Sequence, residues 1–262
     1  MKEVDDKVIL DQNDQLNLRP IFENEKFNFS CHPGVSCFNE CCHEIDVILT
    51  PSDVLGMKNQ LGVTSDEFLS KYTHLQKLKD TDIPLVKLKM QEEDDKRDHC
   101  VFLTETGCLI YNNRPAVCRN YPTGIATQNP KEGESNNPYF IVNEDMCKGH
   151  FEKKEWTIEE YKKDQGVTEL DELNKPWLEI VAKLKTFSLK DDKDQKMNIF
   201  LMVCFDLDVF RKMVFESSFL ARFDIDQTIT QVIEKKEEKL LEFGLKWLHF
   251  ALFNEGPIKP KQ

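Results

Sequence analysis

Nine cysteines constrain this chain more than any other feature. They stand at 31, 37, 41, 42, 100, 108, 118, 147 and 204, so eight of the nine fall between residues 31 and 147. A chain of 262 residues can bury a core without disulfide staples, and an odd cysteine total argues against a disulfide framework. No C-x-x-C occurs, so a thioredoxin-type relay is absent. The opening Met1-Lys2-Glu3-Val4-Asp5-Asp6-Lys7 has no apolar signal-peptide core, and the longest apolar run, Ile199 to Phe205, is followed at once by Asp206, Asp208, Arg211 and Lys212. The expectation is a cytoplasmic protein with no membrane contact, whose thiols stay reduced.

Reduced thiols gathered among polar neighbours such as His32, Asn39, Glu40, His43 and Glu44 are poor core packing but good metal ligands. The first set is Cys31-x5-Cys37-x3-Cys41-Cys42. The second is Cys100-x7-Cys108-x9-Cys118, closed by Cys147. Four thiolates complete a tetrahedral zinc shell or hold one iron–sulfur cluster, so eight divide into two such sites. The adjacent pair Cys41 and Cys42, if extended, points to opposite sides and is shared between two centres. Cys204 lies in the apolar stretch Phe200-Leu201-Met202-Val203-Cys204-Phe205 and reads as core. Ligand type leaves iron–sulfur and zinc both open: paired C-x-x-C knuckles and the run-on ferredoxin pattern are equally missing.

Arg97, His99, Arg114 and Arg119 surround Cys100 and Cys118, where they compensate the negative charge of a thiolate site or receive an anion. His32, His43, His99 and His150 lie near the cysteines, but eight thiols suffice without them. Radical-SAM spacing fails, because the third position after Cys37 and Cys41 is Glu44. No G-x-G exists for a nucleotide-binding turn. A net charge of −12 excludes sequence-independent nucleic-acid binding and leaves an unknown protein partner or protein substrate.

Two blocks carry a resemblance. Phe29-Ser30-Cys31 … Cys37-Phe38-Asn39-Glu40-Cys41-Cys42 with Ile48-Leu49-Thr50-Pro51-Ser52-Asp53-Val54 is one. Cys100-Val101-Phe102-Leu103 … Gly107-Cys108-Leu109-Ile110-Tyr111 … Arg114-Pro115-Ala116-Val117-Cys118-Arg119-Asn120-Tyr121-Pro122 is the other. Over roughly residues 27–150 they resemble the YkgJ-type CxxCxxCC cysteine-cluster family. The resemblance implies a zinc- or iron-chelating protein, with an iron–sulfur cluster as the favoured cofactor, zinc as the alternative, and a structural or redox-active centre. Longer relatives are flagellin lysine N-methylases, so the alternative function it implies is a protein lysine N-methyltransferase. Here five residues, His32-Pro33-Gly34-Val35-Ser36, separate the first two cysteines where the family name implies two.

The expected fold class is α+β, mostly helical. Residues 1–26 read as a polar, loosely ordered arm whose Val8-Ile9-Leu10 and Ile21-Phe22 are the parts expected to dock, 27–150 as a metal-binding region with few short strands, and 151–262 as a helical region packing on it. Capping boxes are expected at Thr50 (with Pro51 at N1 and Asp53 at N3), at Thr64 and at Thr157. Trp156 and Tyr161 form a hydrophobic staple, and Gly166 stops that helix. Short strands are expected at 46–49, 108–111 and 139–142, a half-exposed strand at 85–90, and a hairpin or loop at 91–98. Trp177, Ile180, Val181 and Leu184 mark one amphipathic face, followed by two long helices at about 197–219 and 229–253, the second with a charged middle.

Overall fold

A computed structural model describes residues 17–92, 97–125, 139–187 and 192–261. The N-terminal part consists of β1 (Leu18–Pro20), β2 (Phe27–Asn28), β3 (Ile48–Leu49), α1 (Pro51–Leu61), α2 (Ser65–Tyr72), β4 (Thr73–Lys77), β5 (Pro84–Leu88), β6 (Met90–Gln91), β7 (His99–Cys100), β8 (Leu103–Thr104), β9 (Gly107–Cys108), α3 (Ala116–Asn120), β10 (Thr123–Ile125), β11 (Tyr139–Val142) and β12 (Glu155–Trp156). Helices then follow: α4 (Ile158–Asp164), α5 (Val167–Thr186), α6 (Lys193–Phe205), α7 (Leu207–Glu216), α8 (Phe219–Arg222), α9 (Gln227–Lys235) and α10 (Glu237–Phe253). The class is α+β and mostly helical. No helix among the described residues is long and apolar enough to cross a membrane.

The strands form small antiparallel sheets with orders β1-β11-β10, β12-β2, β3-β5-β4, β6-β7 and β8-β9. β5 is the central strand of its sheet, and all five of its residues are buried. The half-exposed strand expected there is corrected by this position. Lys87 stays inside because its stem packs while its ammonium reaches Asp46 and Gln76. Met90 and Gln91 pair antiparallel with Cys100 and His99, and residues 93–96 of the charged run between them lie outside the described residues. Ile21 is fully buried, whereas Phe22 is exposed; Val8, Ile9 and Leu10 lie outside the described residues.

All three capping boxes form. Thr50, Thr64 and Thr157 each accept a backbone N–H from the residue three ahead, whose carboxylate returns the bond. Trp156 and Tyr161 meet edge to face with ring centroids 5.6 Å apart, and Gly166 adopts φ 64° beyond the end of α4. Both long helices expected downstream are interrupted. Asp206 leaves helical geometry and caps α7 by accepting the Val209 N–H, and Lys236 is extended between α9 and α10.

Two apolar clusters result. The larger joins α1 and the β3-β5-β4 sheet to the C-terminal helices through Val54, Met57, Val86, Ile180, Phe200, Phe210, Leu240 and Leu248. Cys204 is 2 % exposed within it, as expected. The smaller comprises Ile21, Phe27, Phe29, Ile141, Cys147, Ile158 and Tyr161. Cys100, Cys108 and Cys118 pack against the larger cluster, whereas Cys147 belongs to the smaller. The cysteine-bearing loops therefore lie at the seam between the two.

Candidate metal centre

All nine cysteines are free thiols. Cys31 sits in the loop after β2, and Cys37, Cys41 and Cys42 in the turns that follow. Cys100 ends β7, Cys108 ends β9, Cys118 lies within α3, and Cys147 precedes a 3-10 turn at Lys148–Phe151. Loops and short elements from five places in the chain thus supply the sulfurs. Their mutual electrostatics shows which are neighbours. The charges of Cys41, Cys37 and Cys147 bear on Cys31. Those of Cys41, Cys100 and Cys118 bear on Cys42. Cys108 and Cys41 act on Cys100, and Cys100, Cys41 and Cys108 act on Cys118. Cys41 is the hub common to both groups.

The Cys41–Cys42 pair departs from the extended geometry expected of it. Asn39 turns the chain at φ 71°, and Glu40–Cys42 form one 3-10 turn. The two neighbouring thiols are coupled: Cys42 lowers the pKa of Cys41, and Cys41 raises that of Cys42. Burial is the main cause that raises Cys100, Cys108 and Cys118. It also leads the list for Cys31, which is pushed up to about 11, against an opposing effect of Arg114. A cluster of thiols without a counter-cation resists ionisation for the same reason: each thiolate penalises the next.

The donor set fits a thiophilic metal. The Cys37 sulfur accepts the Lys148 backbone N–H at 3.0 Å. The backbone N–H groups of Phe102 and Leu103 lower the pKa of Cys100, and that of Ile110 lowers the pKa of Cys108, against the larger effect of burial. Such N–H donors stabilise thiolates and orient metal ligands. Among the described residues, no three His, Cys, Asp or Glu side chains already stand close enough together to hold one ion. Drawing four thiolates onto one point requires the cation that offsets their repulsion, because metal binding and thiol deprotonation are coupled.

The surroundings are well anchored. Tyr121 donates its hydroxyl to Glu144 at 2.8 Å and lies within hydrogen-bonding reach of Cys147. Tyr161 donates to the Tyr121 carbonyl, and Trp156 donates to the Phe29 carbonyl at 2.8 Å. Asp53 caps α1 and also accepts the Ala116 N–H at 2.8 Å, which fixes the start of the helix carrying Cys118. Arg97 pairs with Glu40 at 2.7 Å, and His32 faces Glu152 at 3.4 Å. His43 Nδ1 and His150 Nε2 are buried without a hydrogen-bond partner among the described residues. His43 pairs by a β-bridge with His99. Nothing in the residue pattern signals the bond from Ala116 to Asp53, which joins residues far apart in the chain. Tyr121 stood out only as a member of the Arg-Asn-Tyr-Pro block.

Residues 30–148 match the CxxCxxCC family. Its description is "Putative zinc- or iron-chelating domain". The CxxCxxCC segment thus contains all eight clustered cysteines and excludes Cys204. Neither a curated protein nor a solved structure matches the chain.

Proposed function

We propose that this protein binds metal through two four-sulfur centres, with iron–sulfur clusters as the occupants and zinc as the alternative. Cys31, Cys37, Cys41 and Cys147 hold one centre. Cys42, Cys100, Cys108 and Cys118 hold the other. What supports this reading is that Cys41 acts on Cys31 as well as on Cys100, Cys108 and Cys118, while Cys42 is acted on by Cys41, Cys100 and Cys118. The family description supports metal chelation, and the choice of iron–sulfur over zinc rests on the resemblance given above. A bound iron–sulfur cluster supplies one-electron chemistry, whereas zinc clamps the fold.

The seam location favours a role in holding the two apolar clusters together, whichever metal is bound. Elemental and sulfide analysis of anaerobically purified protein tests the assignment. Iron and sulfide in a brown solution support clusters, and zinc in a colourless one selects the alternative. Cys37→Ser and Cys108→Ser should each remove about half of the metal, and the double variant nearly all of it. Loss of all metal from either single variant overturns the two-centre division. Unchanged metal in the double variant overturns the site.

A further inference from the structure

A cleft of about 540 Å³ opens between the turn at Tyr111–Asn113 and the junction of α4 with α5. Its lining includes two guanidinium groups, those of Arg114 and Arg119. Arg114 lies over the Tyr111 ring, 4.1 Å from its centroid. It donates to the Tyr111 carbonyl at 2.8 Å and to the Gln165 side-chain oxygen. Arg119 donates to the carbonyls of Arg114 at 2.9 Å, Gln165 at 3.0 Å and Asn112. Every one of these acceptors is neutral. A guanidinium offers five N–H groups, so both arginines are fixed in place while part of each fork stays unspent.

Two cations held side by side by neutral anchors repel each other, and partial burial raises that cost. The thiols account for one of them, since the charge of Arg114 bears on Cys31 and Cys108. They do not account for Arg119, whose interacting groups are Arg114, Asp53 and Tyr111. Asp53 is a poor counter-ion here, because its two oxygens already accept the N–H groups of Thr50 and Ala116. Lys163 adds a further cation to the lining, in a chain whose net charge is −12. Asp164 and Glu169 on the same lining set a limit on the opposite side. They disfavour a polyanion but leave room for one small anionic group.

We propose that this cleft binds a small ligand through an oxyanion, a carboxylate or a phosphate, gripped by the unspent N–H groups of Arg114 and Arg119. No cysteine lines the cleft, so ligand binding there is measured separately from metal content.

Titration calorimetry on the full chain tests it, with inorganic phosphate and succinate as the two probes and metal content measured in parallel. Saturable binding of phosphate alone assigns the phosphate class, and of succinate alone the carboxylate class. Binding of both assigns an oxyanion site without selectivity. Absence of saturable binding by either probe up to about 20 mM overturns the proposal. Arg119→Gln should weaken binding roughly tenfold or more with metal content unchanged, as expected for loss of a charge-assisted bond. Unchanged affinity in that variant also overturns it. Glu169→Gln is a second arm that leaves the arginine anchors intact. Removing this exposed carboxylate should tighten binding roughly two- to threefold, and unchanged or weaker binding counts against the site.

Discussion

Cys41 and Cys42 share one 3-10 turn, and each shifts the other's pKa in the opposite direction, Cys41 down and Cys42 up. One tight turn therefore brings two chain-adjacent sulfurs together instead of splaying them. Cys41 then interacts with thiols from both sides of the seam.

Because the thiols lie between the two apolar clusters, metal removal should loosen their attachment. Incubation with a strong chelator under anaerobic, reducing conditions is expected to lower the melting temperature by at least about 10 °C, the effect of several kcal/mol of lost binding energy in a chain of this size. Identical melting curves with and without chelator would show that the metal contributes nothing to stability.

Tyr121 positions the Cys147 side of the site through its hydroxyl, shared with Glu144. Tyr121→Phe keeps the ring and its edge-to-face contact with Phe29 but removes the hydroxyl. Metal affinity measured by chelator competition should fall about tenfold or more, the usual effect of losing an outer partner of a ligand. A variant that retains metal as firmly as the parent would place the hydroxyl outside the site's support.

Gly244 lets α10 approach its neighbours closely. A methyl group there would stand 2.7 Å from both Phe210 and Val203. Gly244→Ala gains helix propensity but overpacks the core, for a net loss of about 1–2 kcal/mol. Urea denaturation reads this directly, and a midpoint that rises would contradict the packing.

Asp82 links the turn before β5 to α6 through Lys193 and also binds Lys77 at 2.8 Å. Hydrogen bonds from Lys193 and then Lys77 hold its pKa down to about 2, below the ordinary 3.8. A depressed carboxyl contributes stability that is present above the unfolded-state value and is lost as pH falls through the folded-state value. The melting-temperature difference between the parent and Asp82→Asn should therefore shrink as pH falls from about 4 to about 2. A difference that stays constant over that window would mean the ion pairs contribute nothing.

Local chemistry was legible in the residues, and long-range geometry was not. Thr50, Thr64 and Thr157 announced their helices because a capping box is a four-residue event. Cys204 announced its burial through its apolar neighbours. The breaks at Asp206 and Lys236 were hidden because a polar residue in an amphipathic pattern reads equally well as a solvent-facing helical position. The stretch 108–111 reads as a strand, yet the chain leaves β9 after Cys108 and enters a 3-10 turn at Tyr111. Burial of Lys87 depends on which strand is central, and that is set by pairing with residues far away. The cysteine spacing pointed to a metal site but could not reveal the seam, because Cys147 and Cys100 pack on different clusters only after folding.

The larger apolar cluster draws together residues as distant as Val47 and Phe253. Synthesis runs from the N-terminus, so every cysteine of the metal site leaves the ribosome before α10 is made. Val54 and Met57 on the nascent chain consequently lack their final cover until α10 emerges. Closure of this packing must await synthesis of α10, and a chain that still lacks it is the form most exposed to premature oxidation or aggregation.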